Sequence, residues 1–134
     1  MKKITLFLMF TVFAFTAYGQ VYISENFDAG LGTWTITDGG AATGDSWISG
    51  QQGGANNLDG TNCAVVDSDA NGNGVEMIET LTSPAFDTTG ATTIFLDFDQ
   101  YYNNGGADTA VVEVWDGAAW QQVLSQNADA GGFG

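Results

Sequence analysis

Short runs of alternating apolar and polar residues constrain this chain more than any other feature. VYISENF, TWTIT, SWIS, NCAVVD, EMIETL, TTIFLDFDQYY, TAVVEVW and AWQQVL all have period two, and each is bounded by clusters of Gly, Asn, Asp, Ser or Thr. Beyond the first nineteen residues, no segment keeps a helical period over three turns. About eight short strands at this spacing predict an all-β fold, a jelly-roll β-sandwich of antiparallel strands. The Gly-rich intervals TDGGAATGDS and SGQQGGANNLDGTN are punctuated by Trp34 ahead of the first, Trp47 between them and Leu58 within the second, so they read as large surface loops within one domain. Pro84, the only proline, belongs at a strand end or on a sheet edge.

Residues 1–19 read as a secretory signal peptide. MKK gives a basic start, ITLFLMFTVFAFTA an apolar stretch, and AYG a small-residue cleavage pattern before Gln20. The expected working domain is therefore residues 20–134, secreted and not inserted in a membrane after cleavage. Its last predicted strand, AWQQVL, is followed only by the turn-like NADAGGFG, so the sandwich is expected to lack its final strands.

Charge excludes several functions. The 134-residue chain has 16 Asp and Glu, no His, and a formal charge of −14, and its only basic residues are Lys2 and Lys3. Nucleic acid is excluded as a partner, because a phosphate backbone is bound by cations that displace counterions. An anionic membrane surface would repel such a chain as well. Without histidine, neither a Ser-His-Asp nor a Cys-His nucleophilic site can be built. Cys63 is the single cysteine, so no internal disulfide can form, and beside Ala64, Val65 and Val66 it reads as a small buried hydrophobe. Uncompensated carboxylates oppose compaction, which makes a bound divalent cation such as structural Ca2+ a natural expectation outside the cell.

VVDSDANGNG is the segment that suggests calcium. Asp67, Asp69, Asn71 and Gly72 match the first half of an EF-hand loop, but position twelve is Ile78 rather than Glu and neither flank is helical. Two readings remain. Asp67, Asp69 and Asn71 are ligands of a looser calcium site, or they form an Asx turn whose glycines take positive φ.

A second candidate site lies in TIFLDFDQYY and AVVEVW. Alternation places Ile94, Leu96 and Phe98 on a core face, with Phe95, Asp97, Asp99 and Tyr101 opposite; pairing through NNGGAD would add Glu113 and Trp115 to the outer face. Carboxylates interleaved with aromatic rings suit a sugar, whose C–H groups stack on rings while its hydroxyls donate to acids. The bland alternative is a solvated sheet face. Asp97 and Asp99 would stand about 6.5–7 Å apart at Cα, near the spacing of an inverting glycosidase pair, yet any D-x-D strand shares that spacing. No deep cleft is signalled, so no catalysis is expected.

Taken in order, ENFDAGLGTWTI, GDSWISG, AVVDSDANGNG, ETLTSPAFDTTG and IFLDFDQYYNNGGADTAVVEVWDGAAWQQVL resemble the cleaved-adhesin, or choice-of-anchor J, jelly-roll domains of secreted bacterial proteins, and more distantly MAM domains. The resemblance spans Glu25 to Leu124. It implies a non-catalytic extracellular binding or adhesion module with a glycan or protein ligand. Such modules are often exported by the type IX route, attached to the cell surface, and carried beside a protease, nuclease or glycosidase. The alternative it leaves open is a structural accessory domain of such a hydrolase. It also implies structural calcium near the first strand, which adds Glu25 to the metal candidates. The family's closing strands, ending in an acidic pair and a β-branched residue, have no counterpart here.

Overall fold

A computed structural model describes residues 19–41, 46–51, 60–72, 74–106 and 108–131, and the side chain of Asp69 is not among what is described. The expected signal peptide, apart from Gly19, lies outside the described residues, as do Leu58 and the last three positions. The described chain is all-β, with β1 at Thr35–Thr37, β2 at Ile48–Gly50, β3 at Cys63–Val65, β4 at Thr80–Thr82, β5 at Ala110–Trp115 and β6 at Trp120–Gln126. One 3-10 turn, Ser68–Asn71, interrupts them. Among the described residues, no helix is long and apolar enough to cross a membrane.

The strands form three antiparallel pairs, β1 with β4, β2 with β3, and β5 with β6. The first two pairs are nested. In β1–β4 the β-branched threonines face one another across the ladder, Thr35 opposite Thr82 and Thr37 opposite Thr80, around the apolar pair Ile36 and Leu81. The same register resumes at the Gly40–Met77 bridge, where Ala41 N–H donates to the Glu76 carbonyl (2.9 Å) and Ile78 N–H to the Gly39 carbonyl (3.1 Å). Glu79 joins this ladder to the next by accepting from Gly39 N–H (3.4 Å) and from the Ser46 hydroxyl just ahead of β2.

The segment ENFD is clipped over the β2–β3 pair. Phe27 offers its carbonyl to the Ser49 hydroxyl (2.6 Å), and Asp28 accepts from Asn62 N–H (3.0 Å) at the entrance to β3. Cys63 is half-buried rather than fully enclosed, and its thiol donates to the Gly50 carbonyl (3.5 Å). Two-stranded ribbons expose both flanks of their side chains, and among the described residues none is fully buried.

Two predicted strands are not laddered. VYISENF contributes no strand, its Tyr22 stacking instead on Phe86 with ring centroids 5.7 Å apart. TTIFLDFDQYY enters no ladder before Tyr102, which bridges Ala130, so it does not pair with β5 through NNGGAD as expected. β6 takes that place. Ile94, Leu96 and Phe98, predicted as core, are 48%, 55% and 45% exposed.

Candidate functional site

The β5–β6 hairpin carries the best-defined candidate surface. Its turn, Asp116 to Ala119, is closed by one side chain. Asp116 Oδ1 accepts from the backbone N–H groups of Ala118 and Ala119 (both 2.8 Å), Oδ2 accepts from Gln121 Nε2 (2.9 Å), and Asp116 N–H donates to the Ala119 carbonyl (3.1 Å). Gly117 occupies φ +99°, a region that a side chain would strain. These backbone donors stabilise the carboxylate and hold the Asp116 carboxyl below its usual range.

That depression links the hairpin to pH. A carboxyl whose folded value is lowered contributes stability above its unfolded value and loses it as pH falls through the folded one. The Trp115–Trp120 exciton couplet in far-UV circular dichroism is therefore expected to fade on acidification below the ordinary aspartate range. In Asp116→Ala the couplet should be weak already at neutral pH. A couplet of full strength in that variant would show that the turn does not depend on this carboxylate.

The register sorts the hairpin into two faces. Trp115 is opposite Trp120 and Glu113 opposite Gln122, so all four share the outer face. The two indoles meet edge to face, 5.6 Å between centroids at 63°, and remain 51% and 52% exposed. Between the Val112–Leu124 and Glu113–Gln122 pairs the register shifts, leaving Val123 as the extra residue of a bulge. Val123 joins Val114, Gln121, Asp116, Ile94 and Leu96 around an open groove of 420 Å³ on the inner side.

The predicted sugar-binding residues are therefore divided. Glu113 and Trp115 share the outer hairpin face, through pairing of β5 with β6 and not with TTIFLDFDQYY. Asp97 and Asp99 are exposed on the unladdered segment and alternate with groove-lining Ile94 and Leu96, while Tyr101 is half-buried beside the Gly131 backbone. Trp120 and Gln122 are the members of the face that the sequence does not single out, and Trp120 is the one with a signal. Its signal is W-D-G-A-A-W, two tryptophans flanking a turn with Asp at its first position and Gly next.

Two of the metal candidates, Glu25 and Asn71, are engaged locally, and the side chain of Asp69 is not described. Glu25 Oε1 is engaged by its own backbone, accepting from Asn26 N–H (3.1 Å) and Phe27 N–H (3.0 Å). Asn71 turns its amide nitrogen to the Met77 sulfur (3.2 Å), and Gly72 and Gly74 take φ of +80° and +85° around the 3-10 turn. Among the described residues, no three His, Cys, Asp or Glu side chains are placed to hold a metal ion. Calcium takes six to eight oxygens, from carbonyls and amides as well as carboxylates, and among the described carboxylates no three converge to begin such a shell.

No family model, curated protein or solved structure matches the chain.

Proposed function

We propose that this chain is a non-catalytic extracellular binding module of jelly-roll type, whose outer hairpin face takes up a glycan. The observation that carries the reading is the half-open Trp115–Trp120 pair beside Glu113 and Gln122. Rings held edge to face leave flat apolar surface for pyranose C–H groups. A carboxylate and an amide next to them offer acceptors and donors for hydroxyls. The nesting of β1–β4 around β2–β3 supports the jelly-roll element of the proposal, since a long hairpin wound on itself pairs its strands from the inside outward. Asp97 and Asp99 support the non-catalytic element. Both are exposed, whereas catalytic groups work in a concave, largely enclosed site.

Retention on insoluble polysaccharides and binding to a glycan array test the proposal. Trp115→Ala and Trp120→Ala are each expected to weaken retention about tenfold, the scale of one lost ring contact in a polar surround. Undiminished retention in both variants would remove the glycan from this face.

A further inference from the structure

The opposite side of the hairpin offers a surface built from other residues. Thr92 to Asp99 has the alternation of a strand, but among the described residues none of its backbone groups enters a ladder or a backbone turn bond. Phe95, on its outer side, is 90% exposed. On its inner side Ile94 and Leu96 form one wall of the 420 Å³ groove, and Val114 and Val123 form the other. An apolar groove beside a strand-like backbone with unused N–H and C=O groups is the arrangement used in strand addition, where main-chain bonds give affinity and alternate side chains fill pockets.

Charge decides what can add there. Asp97 and Asp99 alternate with the groove residues, Asp116 sits at the groove's end, and no basic residue follows Lys3 anywhere in the chain. A second copy would bring carboxylates to carboxylates, and like charges placed opposite each other on neighbouring strands destabilise a pair. A strand carrying cations would gain from the same field.

We propose that Ile94–Asp99 and the adjoining groove accept an extended segment of a partner protein that alternates apolar residues with Lys or Arg. Its apolar side chains enter between Leu96 and Val123. Its cations lie over Asp97 and Asp99. This inference stands apart from the glycan reading, because it uses neither Trp115 nor Trp120.

The test is anisotropy titration of the full chain with three dye-labelled synthetic peptides. One alternates Val and Lys, one has the same composition arranged as a Val block and a Lys block, and one alternates Val and Glu. The alternating Val-Lys peptide is expected to bind about tenfold more tightly than the blocked one, and the Val-Glu peptide not at all. Leu96→Asp should lose that preference while keeping the Trp couplet and any glycan retention, which shows that the variant is folded. The double variant Asp97→Asn, Asp99→Asn should bind more weakly and with a shallower salt dependence. Equal binding of the alternating and blocked peptides would reduce the effect to bulk attraction of a polycation and overturn the proposal. Sedimentation showing a dimer that the Val-Lys peptide cannot dissociate would overturn it in favour of a second copy.

Discussion

Gly40→Ala is expected to destabilise the chain by about 2–4 kcal/mol, which is a large share of the roughly 5–15 kcal/mol that holds an ordinary domain together. Two costs combine. Gly40 sits at φ +82°, where an L side chain adds about 1 kcal/mol of strain. The new Cβ would also stand 2.5 Å from the Glu76 carbonyl oxygen and 3.1 Å from the Ile78 nitrogen. Both neighbours are backbone, so no side chain can swing aside. The crossing of 39–41 over 76–78 must open, and with it go the Gly40–Met77 bridge and the Ala41–Glu76 bond. Gly30→Ala provides the control, since Gly30 also has positive φ, +115°, but open space where its Cβ would be. It should cost only the conformational part. Urea unfolding separates the two, with a much lower midpoint for Gly40→Ala at unchanged slope. Equal midpoints would mean that the two backbones do not approach as closely as described.

The pairing around Gly40 was only half legible in the sequence. Alternation identified β1 within TWTIT and the first two residues of β4 at the end of EMIETL, because β-branched residues at every second position suit a pleated surface and little else. It did not say that the two belong together across more than forty residues of intervening chain. The limit shows most clearly at TTIFLDFDQYY, the longest strand-like run. Period two determines which side chains share a face, but the partner and register are set by turns and packing. Two turn signals competed for β5, NNGGAD before it and WDGAAW after it. The second prevails in the fold, where the Asp116 carboxylate satisfies two backbone donors of the turn and a Trp pair closes the strands above it. The bulge at Val123 left a fainter trace, two successive apolar residues in QQVL where strict alternation allows one. Side-chain commitments left none at all. Nothing in ENFD announces that Glu25 would fold back onto the amides of Asn26 and Phe27 instead of reaching outward.

The same ENFD segment yields a prediction whose sign runs against habit. Phe27 is the one described non-glycine residue at positive φ, +61°, a conformation that costs an L residue roughly 1–2 kcal/mol unless its surroundings impose it. Here the surroundings are identifiable. Its ring meets Trp34 edge to face at 5.2 Å and 68°, and its carbonyl accepts from Gly30 N–H (3.1 Å) and the Ser49 hydroxyl (2.6 Å), so ring and backbone are held from opposite sides. Either truncation removes the ring contact with Trp34, but only glycine also relieves the backbone. Phe27→Ala should therefore cost about 2–3 kcal/mol and Phe27→Gly about 1 kcal/mol less, although glycine is ordinarily the more damaging replacement. Denaturant unfolding followed by tryptophan fluorescence reads both values, because Trp34 loses its neighbour in each variant. If the glycine variant proves the less stable of the two, Phe27 is not held left-handed in solution, and the clip from ENFD to β2 needs a different origin.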